Sequence, residues 1–363
     1  MRRAVAPVLA LGLLSSLPLA TRGAAAPDRL STEMDRWAAF LRTNASTDET
    51  WKQLKQGVEP LMAKAQSALA SGRRRLALQR LLAARAELSA AAYMQAPPAS
   101  AAKDERAAFE AEWARMGGVL ADRLAKPTAG ALDGVRPAAV RALGEAALPQ
   151  SRVFYDASLE YGRATMPEYG LYYLGSARSA GETADLCRAL SERGGEAPPR
   201  LRPMNAEIEA LEGELLAAYR PPLSVDRHPD FIAASSQLKE ARELDDKGLA
   251  HGALLRYLQA AQRFAPLREA KGPGSAPGGE PVASGLHDLE ARLVTGGVDH
   301  SLGRLFLERA QEALAASPAE TEVARAIVFD VVPRYLAALE PARPEPPRAE
   351  PRFAVTLVRW PYT

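Results

Sequence analysis

Apolar residues recur at intervals of three and four along most of the chain, which is the spacing of one face of an α-helix. The alternation of Val, Ile and Thr that is typical of strands is nearly absent before residue 353. The pattern therefore predicts an all-α fold. Single helices are expected over 31–43, 48–70, 73–94, 109–124, 137–147, 208–215, 285–295, 300–316 and 319–340, with helix pairs over 155–177 and 229–265.

Proline and glycine clusters separate these helices, since proline cannot continue a helical hydrogen-bond ladder. They predict an N-terminal helical domain over 27–221 and a C-terminal helical domain over 222–340, with a flexible loop at 271–284. Residues 341–363 form a proline-rich tether and a tail. The tail, 352–363, alternates apolar and polar positions like a strand, so we expect it to dock on the helical body or to add to a partner's sheet.

Three segments share one arrangement of small residues around a turn. In the first and third segments the pattern is centred on a glycine. Small residues lie seven positions before this glycine and five and twelve positions after it, and a large apolar residue lies nine positions after it. The sets are Ala65, Gly72, Ala77, Leu81 and Ala84; then Ala241, Gly248, Ala253, Tyr257 and Ala260. Ser158, Thr165, Gly170, Leu174 and Ala177 fit the same spacing.

This spacing resembles the tetratricopeptide helix-turn-helix repeat, in which small residues let two helices touch and a glycine makes the turn. The resemblance implies stacked antiparallel αα-hairpins, as in an α-solenoid. The copies lie 93 and 83 residues apart rather than in tandem, and the closing proline of the repeat is displaced or missing. We therefore expect tetratricopeptide-like hairpins rather than a regular array.

Five of the ten tyrosines lie between residues 155 and 173. By analogy with tetratricopeptide grooves, the exposed face of the first helix there carries Arg152, Tyr155, Leu159 and Arg163. A tyrosine between two arginines suits an acidic or carboxylate-bearing peptide, so Arg152, Tyr155 and Arg163 are candidate binding residues. The alternative is that Tyr155 packs against a neighbouring helix, as amphipathic tyrosines often do.

The sequence GLHDLE at 285–290 places His287 and Glu290 on one helix face, where they can share a metal. It resembles the G-x-H-x-x-E motif of imelysin-type proteins, which are exported, all-helical and associated with iron uptake. If the chain turns back at 295–297, His300 and Asp299 supply further ligands. The alternative is a local surface pair on a helix whose core positions are Leu286 and Leu289.

Other chemistry is not indicated. The basic run at 72–80 has no interleaved aromatic residue and the net charge is +2, so we expect no nucleic-acid partner. No nucleophile elbow, phosphate-binding glycine loop, paired-cysteine site or zinc-protease motif occurs, and we expect neither catalysis nor a cofactor. The single cysteine, Cys187, excludes an internal disulfide and has the apolar neighbours of a buried position.

The first 25 residues have the three parts of a secretory signal: Arg2 and Arg3, an apolar stretch, and small residues near 20–26. The alternative is a retained anchor, but Pro7 and Pro18 interrupt an apolar stretch that is short for a bilayer span. We therefore expect an exported bacterial protein, periplasmic or secreted, without a stable membrane span after cleavage. Its expected function is a non-catalytic scaffold for a peptide or protein of the cell envelope. An imelysin-like metal-binding protein is the alternative.

Cleavage of the signal is the first testable prediction. N-terminal sequencing of the exported protein should give a first residue between Thr21 and Asp28, because the small residues that signal peptidases require lie at 20–26. Mature protein that still begins at Met1 would contradict the assignment.

Overall fold

The computed structural model describes residues 28–44, 49–95, 105–125, 138–163, 167–190, 199–221, 225–269, 279–294, 297–316 and 320–339. In these ranges the chain is helical and contains no β-sheet, which confirms the all-α prediction. The predicted signal at 1–25, the tether and tail at 341–363, and residues 271–278 of the predicted loop lie outside the described ranges. None of the described helices combines the length and the apolar character that crossing a bilayer requires.

The helices follow the predicted order. At the end of the described chain, two short α-helices are joined by a π-helical segment into one continuous helix. The bounds are α1 Arg29–Thr43, α2 Glu49–Ala70, α3 Arg74–Gln95, α4 Glu105–Ala125, α5 Ala138–Arg163, α6 Pro167–Leu190, α7 Asn205–Ala218, a 3₁₀ turn Val225–Arg227, α8 His228–Asp246, α9 Ala250–Glu269, α10 Gly279–Arg292, α11 Ser301–Ala316, α12 Thr321–Ala326, the π segment Ile327–Val331 and α13 Val332–Ala337.

Two predicted boundaries are wrong. The short helix expected at 137–147 continues through Pro149 to Arg163, and α5 is a single helix of 26 residues. Proline removes one backbone donor, but the packing of α5 against α4, α6, α9 and α11 holds the helix together across it. Residues 279–284, expected to be part of a flexible loop, are the first turns of α10. Pro281 falls in the first turn, where its missing N–H has no intrahelical partner to lose.

The predicted hairpin turns are present at both glycines. Gly72, between α2 and α3, has φ +74°, and Gly248, between α8 and α9, has φ +72°. Left-handed backbone of this kind strongly favours glycine. After each glycine, the next N–H donates to a carbonyl five residues earlier, from Arg73 to Ala68 at 2.8 Å and from Leu249 to Leu244 at 2.9 Å. Both turns are therefore Schellman caps that end one helix and reverse the chain.

Small residues lie where the paired helices touch, as predicted. All six are fully buried: Ala65, Ala77, Ala84, Ala241, Ala253 and Ala260. The α5–α6 pair is closer still, because a Cβ on Gly170 would lie only 2.7 Å from the Cα of Gly162. The packed helix pairs are compatible with a helical-repeat fold.

The helices also make contacts that are distant in sequence. α11 packs on α3 and α5, and α9 packs on α5. In a strictly sequential solenoid each repeat contacts only its neighbours. The contacts of α11 and α9 with earlier helices therefore distinguish this fold from such a solenoid. One hydrophobic cluster extends from Leu30 to Ala338 and includes helices on both sides of residue 222, where we predict a domain boundary. A second, smaller cluster joins α3, α4, α5 and α6.

Carboxylates from other parts of the chain bind the N-terminal ends of four helices. At α3, the N–H of Leu76 donates to Glu308 Oε2 of α11 at 2.9 Å, and Arg75 forms an ion pair with the same carboxylate. At α9, the N–H of Gly252 donates to Glu145 Oε2 of α5 at 2.8 Å. Because the first N–H groups of a helix have no intrahelical acceptor, these side chains satisfy donors that would otherwise be buried without partners.

The tripeptide Asp299–His300–Ser301 does the same for α5. Asp299 Oδ2 accepts the N–H of Ala138, and Ser301 Oγ accepts the N–H of Ala139 at 2.8 Å. Asp299 Oδ1 also accepts the N–H of Ser301 at 2.8 Å and so caps α11. Likewise, Asp245 of α8 accepts the N–H of Met204, just before α7, at 2.9 Å.

Removal of one such cap should cost measurable stability. Glu308→Ala is expected to lower the free energy of unfolding by about 1–3 kcal/mol, because it leaves the buried N–H of Leu76 without an acceptor. Urea denaturation measures the loss. The matched control is Glu160→Ala, which removes an exposed glutamate of α5. Equal midpoints for the two variants would contradict the capping role.

The junction of α5 and α9 also buries a histidine. His251 is 5% exposed, and among the described residues neither of its ring nitrogens has a hydrogen-bond partner. Burial, and then the positive charge of Arg141, lower the pKa of His251 to about 3. Burial also raises the pKa of neighbouring Glu145, against the opposing effect of Arg141. His251 is therefore neutral in the folded protein at neutral pH.

This burial predicts a loss of stability in acid. Between pH 6.5 and about 3, the unfolded chain binds a proton at His251 that the folded chain does not, so stability falls as pH falls through this window. His251→Leu should remove this contribution, which has a slope of at most about 1.4 kcal/mol per pH unit. Urea denaturation of both proteins between pH 3 and 8 measures it. Parallel profiles would show that His251 does not titrate in this way.

Candidate functional site

The predicted groove residues do not share an exposed surface. Arg152 is exposed, and its Nε donates to both carboxylate oxygens of Asp156 at 2.9 and 3.0 Å. Tyr155 is only 9% exposed, which agrees with the alternative that it packs against a neighbouring helix and not with an exposed position. Its ring stacks on Trp113 of α4 at 4.9 Å, and its hydroxyl donates to the Trp113 carbonyl at 3.2 Å. Arg163 ends α5, and its side chain lies outside the described residues. A binding role for these three residues stays a prediction.

The candidate metal ligands lie at different places. His287 is exposed on α10, and the half-buried Glu290 accepts a hydrogen bond from Gln311 of α11. His300 is buried, with Nδ1 3.0 Å from the hydroxyl of Tyr335. Among the described residues, no group of three or more His, Cys, Asp or Glu side chains is arranged to hold a metal ion. Metal binding by His287 and Glu290 stays a prediction, whereas Asp299 uses both carboxylate oxygens as helix caps.

Three further tyrosines of the 155–173 cluster, Tyr161, Tyr172 and Tyr173, meet at the surface between α5 and α6. The rings of Tyr161 and Tyr173 stack at 4.8 Å, and Tyr172 meets Tyr173 edge-on at 5.7 Å. Phe154 of α5 lies 6.3 Å from Tyr173. The hydroxyl of Tyr172 donates to Glu87 Oε2 of α3 at 2.9 Å. These side chains therefore form an aromatic surface that joins three helices.

This aromatic surface is one end of a groove of about 550 Å³. The α5–α6 hairpin forms the floor, α3 lines one side where it packs on α6, and α9 lines the other where it packs on α5. Along α5 the groove runs from Leu143 to Phe154, which at 1.5 Å per residue is roughly 16 Å. This volume lies in the usual range for ligand sites. We define this space as the α3–α9 groove.

Small and aliphatic side chains make the floor of the α3–α9 groove. On the floor they are Leu143, Ala146, Ala147 and Ala180, and Leu82 and Ala86 of α3 continue the same apolar surface along one side. Three amide side chains line the same space, each from a different helix: Gln79, Gln150 and Gln259. Gln259 accepts a hydrogen bond from Arg256 at 2.9 Å. Within the described part of the chain, Gln79 and Gln150 have no hydrogen-bond partner, so their donors and acceptors face the groove or water.

Two charged residues line the groove, and only one of them is neutralised. Arg256 has its Nε 2.8 Å from Glu240 Oε2, and its guanidinium also donates to the Ala146 carbonyl at 3.3 Å. Glu87 is exposed and accepts a hydrogen bond from Tyr172, but no described cation pairs with it. Burial and the Glu87 carboxylate raise the pKa of Tyr172, so this hydroxyl stays protonated and donates.

Sequence reasoning missed this groove. It identified the tyrosine cluster but placed the binding face on Arg152 and Tyr155, because it did not show that α4 covers Tyr155. The groove residues come from α3, α5, α6 and α9, which span positions 79 to 259. The only local indication of the groove in the sequence is the abundance of alanine and glutamine on these helices. Ordinary helix surfaces have the same composition, so it does not identify a binding site.

Comparisons of the chain with protein-family models, with curated proteins and with solved structures find no match. Neither the tetratricopeptide nor the imelysin resemblance is therefore supported by a relative. The fold and the α3–α9 groove remain the basis for a functional assignment.

Proposed function

We propose that this protein is an exported, non-catalytic helical scaffold that binds a peptide segment of a cell-envelope partner in the α3–α9 groove. The observation that supports this proposal most directly is the groove itself, which combines an apolar floor with amide groups that have no partner in the described chain. The export part of the proposal rests on the sequence of the first 25 residues.

The dimensions of the groove suit an extended peptide. A length of roughly 16 Å spans about five residues at 3.3 Å per residue. The helices that form it are long and packed along their length, so the groove is present before a ligand arrives. A preformed site avoids part of the ordering cost of binding.

The chemistry of the groove also suits a peptide. An extended segment presents N–H and C=O groups along its backbone, and each needs a partner once it leaves water. A glutamine amide offers both donors and an acceptor, so Gln79 and Gln150 can bind either group. The alanine floor lets the backbone approach closely, and the leucines bury apolar side chains of the ligand.

Filling the groove should abolish peptide binding. Ala83 of α3 lines the groove and is exposed, so Ala83→Trp adds bulk there without disturbing the core. Purified wild-type protein should select sequences from a displayed library of random dodecapeptides. The variant should bind the selected peptides at least tenfold more weakly, because their contact surface is occupied. Fluorescence polarisation with the synthetic peptides measures the difference.

The matched control is Ala283→Trp, which adds the same side chain at an exposed alanine of α10 outside the groove. This variant should bind like the wild type, and both variants should unfold at the wild-type midpoint. If the library yields no sequences, or if Ala83→Trp binds them unchanged, the groove is not a peptide site and the proposal fails.

A further inference from the structure

We infer that the aromatic end of the α3–α9 groove receives a basic side chain, lysine or arginine, of the bound peptide. This inference rests on the proposed function and deepens it by naming the anchor of the ligand. The site consists of Glu87 with the three rings of Phe154, Tyr172 and Tyr173.

The sign of the free charge in the groove supports this inference. Two charged side chains line the groove, and one of them, Arg256, forms an ion pair with Glu240 and makes two hydrogen bonds inside the protein. Glu87 has no ion pair within the described chain. The charge that the groove offers to a ligand is therefore negative and lies at the aromatic end. This is opposite in sign to the arginine-flanked site that the sequence suggested.

The Glu87 carboxylate is also held in a fixed orientation. The hydroxyl of Tyr172 donates to Glu87 Oε2 at 2.9 Å and so restrains a side chain that would otherwise rotate freely in water. A carboxylate has about four acceptor positions, and this bond uses one of them. The other positions remain open to an ammonium or guanidinium group. Prior restraint lowers the entropy cost of forming an ion pair.

Aromatic rings surround the Glu87 carboxylate. Phe154, Tyr172 and Tyr173 are half-buried, and their rings lie 5.7–6.3 Å apart around Tyr173. Ring faces attract cations through their quadrupole, and the aliphatic stem of a lysine or arginine packs well on them. The hydroxyl of Tyr172 is already bound to Glu87, and the ring of Tyr173 stacks on that of Tyr161. The rings therefore offer mainly carbon surface beside one carboxylate.

The experiment uses the dodecapeptides selected on the full-length mature protein that lose binding to Ala83→Trp. These peptides should share a lysine or arginine at one position. Replacement of that residue by norleucine keeps the apolar stem and removes the charge. We expect the peptide to bind about tenfold more weakly, and the wild-type affinity to fall as salt is added.

Glu87→Gln should cause a similar loss with the basic peptide and no further loss with the norleucine peptide, because both changes remove the same interaction. Glu209→Gln, at an exposed glutamate of α7 outside the groove, is the matched control and should bind like the wild type. Glu87→Lys should restore the binding of peptides in which the basic residue is replaced by glutamate.

The outcomes separate this inference from the proposed function. Groove-dependent peptides that lack a shared basic residue, or that bind Glu87→Gln as tightly as the wild type, would refute the anchor and leave the peptide groove intact. Failure to select any groove-dependent peptide would refute both. Binding that weakens equally in Glu87→Gln and Glu209→Gln would show a general charge effect and would also refute the anchor.

Discussion

The N-terminal N–H groups of α3, α5, α7 and α9 are bound by carboxylates that belong to other helices or to the loop before α11. These hydrogen bonds prevent each helix from sliding along its own axis relative to its neighbours. Hydrophobic packing alone prevents such sliding poorly, because apolar contacts are not directional. Glu145 shows the effect most directly. It lies at the crossing of α5 and α9, where a Cβ on Gly252 would be 2.8 Å from the Cβ of Glu145, so the bond forms only at close approach.

The α3–α9 groove depends on the same bonds. Its α9 side is fixed on the floor by Glu145, and its α3 side is held by Glu308 and by the ion pair between Arg80 and Glu312 of α11. The short side chains of the alanines on the floor leave the space between these two sides empty. The alanines at the helix contacts have the opposite effect, because they let two helices approach until no space remains between them. The groove therefore results from two features together: the helix ends are fixed by hydrogen bonds, and small residues lie between the fixed helices. Neither feature depends on a bound ligand.

Local features could be predicted from the sequence. The helical period, the turn glycines Gly72 and Gly248 and the buried alanines beside them all depend on neighbours within one hairpin. Features that depend on distant contacts could not be predicted. For Tyr155 the sequence left both a surface position and packing on another helix open, because nothing local indicates that Trp113 covers it. Asp299 was considered a metal ligand because its hydrogen-bond partner, the N–H of Ala138, lies 161 residues away in the sequence. The helix predicted at 137–147 was too short because the packing that carries α5 past Pro149 comes from other helices.

The long separations between the caps and the helices that they bind also determine the order in which the structure can be completed. Leu76 and Glu308 are 232 residues apart, so the start of α3 has no acceptor until α11 has been synthesised. Contacts of such high sequence separation form late, and the chain stays partly open before they do. A nascent chain of this protein that reaches a membrane early therefore still lacks its final long-range contacts. For the export that we propose, a chain in that state is suited to crossing a membrane unfolded, with the last helices completing the fold afterwards.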